Sequence, residues 1–155
     1  MGEKIEDKKI LEDILSNAKY LRLALCNENK PYIVPMSFGY ENDVIYLHSS
    51  PKGTKIDILK NNSNVCFETD NYCKLLESDK PCSYSMRYQS VVGFGKATIL
   101  ESEEDMREGF RVIIDQYHNK ERNLDELNLK NVAVIHIAIK ELYGTQHAMP
   151  VHEQK

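Results

Sequence analysis

Residues 21 to 48, LRLALCNENKPYIVPMSFGYENDVIYLH, constrain the fold more than any other stretch of the chain. Leu21, Leu23 and Leu25 alternate with Arg22 and Ala24, and after a turn at 27–31 the alternation resumes with Tyr32, Val34, Met36 and Phe38 on one side. Glu41-Asn42-Asp43 then turns the chain into a third run, Val44 to Leu47. A side-chain period of two, cut by turns of hairpin length, predicts antiparallel strands. Pro35 has no N–H to offer a ladder, so its strand is expected at an edge or bulged.

The period breaks in YLHSSPKGTKIDILKNN, residues 46 to 62. A strand end runs into a small, polar, cationic turn, and Ile56, Ile58 and Leu59 then fit a short helix with its apolar side turned inward. The free N–H groups and positive dipole end of such a helix can hold an anion. Pro-Lys-Gly-Thr is equally ordinary turn chemistry, so this stretch alone leaves both readings open.

Elsewhere the two periods alternate. Ile10, Leu11, Ile14, Leu15 and Ala18 predict an amphipathic helix over 6–18. NVCFETD reads as a strand, 71–84 is poorly patterned, and a long strand is expected from about Tyr88 to Leu100. Ser102-Glu103-Glu104-Asp105 resembles a capping box, opening a helix with Met106, Phe110, Ile113, Ile114 and Tyr117 on one face. NVAVIHIAIKEL supplies a last strand, with His136 a barrel histidine. Gly93 and Gly95 sit in strand alternation without a following helix, so they are expected to relieve crowding where a strand bends. About six strands, joined mainly by short turns, predict an α+β fold built on an antiparallel barrel, in a single domain over 1–155.

Composition narrows the function. Hydrophobic residues at 41% and charged residues at 28% are those of a soluble globular chain. A net charge of -4 and the lack of a basic stripe argue against nucleic acid as a partner. The N-terminal MGEKIEDKKI is charged and no stretch approaches a membrane span, so a cytoplasmic location without membrane association is expected. Cys26, Cys66, Cys73 and Cys82 form no CxxC pair; reduced thiols and no metal site are expected.

Two stretches taken together, VPMSFGYENDVIYLHSSPKGTK and PCSYSMRYQSVVGFGKA, resemble the FMN-binding split-barrel superfamily of pyridoxamine 5'-phosphate oxidase, and within it the Nim-type, nitroimidazole-resistance-related branch. The likeness runs from about Tyr20 to Tyr143, through the VPxxFGY, YxH, GxK and MRYxSVxGFGKA segments. It implies a six-stranded, Greek-key split barrel with flanking helices, a homodimer, and FMN in clefts between the subunits. By the same resemblance Val34, Pro35 and Met36 lie along the flavin ring, His48 and Ser49 end the next strand beside it, Thr54 and Lys55 meet the phosphate with Lys52 nearby, and Gln89, Ser90 and Val91 face the cofactor. Gln89 stands where Nim-like relatives often carry arginine, and Ser37 where asparagine is common. The tail lacks an Arg-x-His clamp, so pyridoxamine phosphate is not the expected substrate.

FMN needs an apolar wall, a few orienting polar groups and a cationic phosphate site, which these residues can offer. His48 is the candidate catalytic residue, as a proton donor to an acceptor being reduced; its plainer role is a strand terminator lining the cleft. The expected function is a small FMN-dependent oxidoreductase for an aromatic or nitro-type acceptor, with NAD(P)H as a transient donor because no dinucleotide fingerprint is present. Non-catalytic flavin storage or sensing, and haem or deazaflavin binding on the same fold, are the alternatives.

Overall fold

A computed structural model of the chain describes residues 2–118, 124 and 127–149. The element order is β1 (Glu3–Ile5), α1 (Lys8–Asn17), β2 (Leu21–Asn27), β3 (Lys30–Met36), β4 (Phe38–Glu41), β5 (Val44–Ser49), α2 (Thr54–Asn61), β6 (Asn64–Leu76), β7 (Ser85–Ile99), α3 (Glu103–Asp115) and β8 (Ala133–His147).

The alternation at 21–48 becomes two antiparallel hairpins. Each turns on a pair of residues with positive φ, Glu28 and Asn29 (50° and 62°), then Asn42 and Asp43 (51° and 62°). That backbone matches the twist of the strands it joins. Leu21, Leu23 and Leu25 point into the core, where Phe38, Ile45, Leu47, Phe67, Val91, Ile135 and Ile137 are also fully buried. The expectation at Pro35 holds in its edge form: β3 pairs only with β2, Pro35 lying opposite Arg22.

The strands run β3-β2-β6-β7-β8-β5-β4 across one sheet, with β1 added to β8. The sheet therefore has eight strands where six were expected. It begins with β3 and ends with β4, yet these strands are consecutive in the chain and separated by Ser37 alone. The sheet must roll until its two edges meet at that residue. No ladder joins β3 to β4, so the barrel stays open along this seam. The stretch 31–40, read as one strand, is thus two strands serving opposite edges.

α3 manages the β4 edge. The Tyr117 hydroxyl accepts from the Phe38 N–H at 2.9 Å and donates to the Lys19 carbonyl at 2.8 Å. The Gln116 amide accepts from the Tyr40 N–H at 3.2 Å and donates to the carbonyls of Leu15, Ser16 and Ala18. Edge N–H groups that would otherwise invite another strand are satisfied in this way.

The start of α3 follows its sequence signal, and α1 has a comparable cap that the sequence reading did not name. Asp7 caps α1 by accepting from Lys9 N–H, and Ser102 caps α3 by accepting from Asp105 N–H. The buried face of α3 is turned partway from the expected one: Ile113 is buried as expected and Gly109 and Val112 join it, whereas Met106, Phe110 and Ile114 are half-buried and Tyr117 is exposed. Gly109 sets this rotation, because a Cβ there would stand 2.8 Å from Val134 Cγ1 and 2.9 Å from the Tyr46 ring. Gly93 and Gly95 relieve crowding as expected. A Cβ on Gly93 would lie 2.1 Å from the Phe67 ring, and one on Gly95 2.4 Å from the Ala138 carbonyl, beside the register shift at Phe94/Gly95.

The patternless stretch 71–84 is partly strand. β6 continues to Leu76 and pairs with β7 from Ser85, three residues earlier than the expected start. A register shift between Asn71 and Lys74, with Tyr72 at φ 59°, bends this two-stranded arm.

Candidate functional site

The end of β5 and the start of α2 form the most distinctive polar corner of the molecule. Leu47 is buried in the core and His48 is exposed, so the strand pleat aims the imidazole outward. Its ring lies 5.5 Å from that of Phe110 on α3, tilted by 32°. The turn passes through Lys52 to Gly53, the N-cap of α2, at φ 116° and ψ 172°. No side chain caps this helix, and a Cβ on Gly53 would meet nothing within 4 Å. Lys55 lies back across the turn, with Nζ donating to Ser49 Oγ at 2.7 Å, while Thr54 and Lys52 are exposed. Two lysines, a hydroxyl on either side of the turn and an uncapped helix start form a donor set suited to a phosphate dianion. Ile56, Ile58 and Leu59 anchor the corner in the core.

Val34 and Met36 are half-buried against the core and Pro35 is exposed on the other side of β3. The register pairing Phe38 with Leu47 carries Ser37 toward His48, so the seam brings the end of β3 to the end of β5. Two of the three expected cofactor segments therefore adjoin.

The third segment does not join them within one chain. Gln89, Ser90 and Val91 lie on β7, three strands from β3 in the sheet. Ser90 pairs with Thr145 and His48 with Val134, eleven residues apart on β8, roughly 35 Å of extended strand. The three side chains also alternate. Val91 is fully buried, and Gln89, 4% exposed, donates to Gln146 Oε1 at 3.0 Å. Ser90 points to the outer face, its hydroxyl 3.0 Å from that of Thr145. A ligand on that face meets Ser90 by side chain and its neighbours by backbone.

The outer face carries a charged cluster that the sequence reading did not anticipate. Arg22 Nη1 donates to Glu68 Oε2 and to Asp70 Oδ2, each at 2.7 Å, and its guanidinium lies 5.1 Å from the centre of the Tyr20 ring. Cys73 Sγ donates to Asp70 Oδ1 at 3.0 Å. That bond, with some burial, pushes the Cys73 thiol up to about 11. Burial raises Asp70, but the bonds from Cys73 and Arg22 outweigh it and hold the carboxyl below its usual range. Cross-strand pairing foretells part of this cluster, since Arg22 lies opposite Glu68. The four cysteines are free.

Residues 7–146 match the family model described as pyridoxamine 5'-phosphate oxidase. The chain belongs to that family. Among solved structures it is similar to a Bacteroides thetaiotaomicron protein provisionally named a 5-nitroimidazole antibiotic resistance protein, at 35% identity and TM-score 0.81 over 94% of this chain and 87% of that one. The Nim-type likeness of the two sequence stretches is found again in that structure. The flavocytochrome Anf3 of Azotobacter vinelandii shares the fold at 19% identity and TM-score 0.78, covering 95% of this chain and 70% of the other. An FAD-binding protein of Mesorhizobium loti does so at 19% and 0.71, covering 96% and 99%. A curated relative, an uncharacterised protein of Rhizobium meliloti, is 28% identical over 68 residues, and the match spans 44% of each chain. The split-barrel family and the α+β class expected from the sequence are thus established, with neighbours that hold flavin. Among the described residues no helix is long and apolar enough to cross a membrane.

Proposed function

We propose that two copies of this chain bind FMN between them and that the protein uses it to reduce a small aromatic or nitro-type acceptor. The observation that carries this reading is the β5–α2 corner, where Lys55 is drawn to Ser49 across an uncapped helix start, in a member of a family with flavin-binding neighbours. Lys55, Lys52 and Thr54 would hold the phosphate, with Ser49 steering the lysine. Val34, Pro35 and Met36 would line the ring at the seam, and His48 would stand beside it.

FMN, when bound, supplies hydride or single-electron transfer. The protein's share is to orient the acceptor, exclude water and provide a proton. His48 suits the last task because its imidazole has no hydrogen-bond partner among the described residues and contacts Phe110 only through its ring. NAD(P)H would dock transiently, since Gly93 and Gly95 are committed to packing.

The separation of Gln89, Ser90 and Val91 from the corner supports a homodimer: one copy would present them to the other's corner. Ile33, Phe94 and Tyr143, exposed by 64%, 43% and 48% on the outer face, give such an isologous pair apolar surface to cover. Reduced cysteines suit a cytoplasmic setting.

Lys55→Ala is expected to weaken FMN tenfold or more while leaving riboflavin nearly unchanged; equal losses contradict a phosphate contact. Light scattering should give twice the 17.9 kDa chain mass. Anaerobic stopped-flow should show flavin reduction by NADH or NADPH and reoxidation by a nitroimidazole. Reduced flavin that persists with every acceptor favours storage or sensing, and a Soret band in the purified protein favours haem.

A further inference from the structure

Arg87 differs from every other described arginine. Arg22, Arg107 and Arg111 each reach at least one carboxylate within 2.8 Å, Arg111 reaching three. Arg87 reaches none among the described residues, although it is half-buried on β7. Its Nε is the one buried side-chain nitrogen or oxygen without a hydrogen-bond partner among the described residues. Directly opposite on β6 stands Lys74, exposed and likewise without a carboxylate. Like charges facing each other across antiparallel strands repel. A guanidinium cannot escape the conflict by losing its proton, as a buried lysine can. Native proteins rarely leave a buried donor unmet, and a bound ion is one of the standard explanations where they do.

We propose that Arg87 and Lys74 form an oxyanion site on the β6–β7 arm, for a small ligand bearing a carboxylate or a phosphate. One such group placed between the two strands answers the repulsion and gives the half-buried guanidinium a counter-charge. The planar fork of Arg87 fits two oxygens of either group, and the Lys74 ammonium adds a point charge that does not depend on direction. Within one chain the site is separate from the β5–α2 corner. Its ligand would meet the arm beside the Gln89–Val91 segment but is not the phosphate assigned to Lys55.

The test is titration of the full-length ¹⁵N-labelled chain with benzoate and with inorganic phosphate, each against sodium chloride at matched ionic strength. Saturable shifts centred on 73–75 and 86–88, including the Arg87 Nε–H resonance, are expected with at least one oxyanion and not with chloride. Benzoate alone identifies a carboxylate site, and phosphate alone a phosphate site. Arg87→Gln should weaken that binding tenfold or more and Lys74→Gln severalfold, with Lys60→Gln on α2 unchanged. Should Arg87→Gln fail to fold, Lys74→Gln and the shift map of the unaltered chain still decide. Shifts confined to 49–55, or no saturable response at the arm, overturn the proposal while leaving the FMN reading intact. Loss of the dimer in Arg87→Gln without an oxyanion response in the unaltered protein overturns it too, assigning the missing acceptor to a second copy of the chain.

Discussion

The β5–α2 corner and the β6–β7 arm are both polar, both irregular and both close to proposed binding groups, yet they are built in opposite ways. The corner is a loop pinned from below: Ile56, Ile58 and Leu59 sit in the core beneath the exposed turn. The arm is a bent two-stranded ladder with little beneath it. Tyr72, Leu75, Tyr84 and Met86 are exposed by 57%, 50%, 54% and 44%, so its order comes from backbone pairing and a few side-chain ties. Packing makes the corner stiff, whereas the arm can yield when a partner or ligand meets it.

Paired truncations offer the strongest way to break that contrast. Ile56→Ala, at a site 2% exposed, is expected to destabilise the fold by about 3 kcal/mol in urea denaturation, while Leu75→Ala on the arm stays within about 0.5 kcal/mol. Equal costs would mean that the arm is packed as firmly as the corner. Next in size is Gly53→Ala. Nothing stands within 4 Å of the new methyl group, but φ 116° with ψ 172° is ground that only glycine holds cheaply. A loss of about 1–3 kcal/mol is expected from backbone strain alone, read from the same denaturation curves.

The base of the arm has one tie to the body that can be cut singly. Asn71 Nδ2 donates to the Ile14 carbonyl at 3.1 Å, joining β6 to α1. Asn71→Ala should cost about 1 kcal/mol and raise hydrogen exchange along 71–76 more than along 54–61.

The smallest effect is a pH dependence at Cys73. Its folded value lies near 11 against an ordinary 9.0, so the protonated thiol is the stabilised form. The contribution is full below pH 9 and fades as pH rises through 11, and in Asp70→Asn that slope should flatten. At pH 8 an alkylating reagent should label Cys82 several times faster than Cys73, and Asp70→Asn should narrow the gap.

The same contrast explains what the sequence could disclose. Hairpin turns, the Ser102 cap and the edge strand at Pro35 were legible because each depends on residues that lie together in the chain. The arm was not, since strands exposed on both faces carry no hydrophobic alternation and are defined only by their pairing. On α3 the pattern of large apolar residues found the buried face only in part, at Ile113, because the helix also packs through Gly109, a residue that contributes by having no side chain. The corner residues of the candidate site could be named from motif and family likeness. Arg87 could not, because a missing acceptor becomes visible only when every neighbour has been placed.

Ser37 deserves to be thought of as a clasp. The two outermost strands of the sheet are tethered by a single residue, so each edge holds the other at the high effective concentration of a very short linker, with no hydrogen bond between them. The roll of the sheet is therefore a property of chain connectivity as well as of side-chain packing. Opening the chain at this one position, for example by moving the termini there in a circular permutant, would leave every ladder bond in place and still release the seam. The mouth where β3 ends beside His48 would then be free to widen.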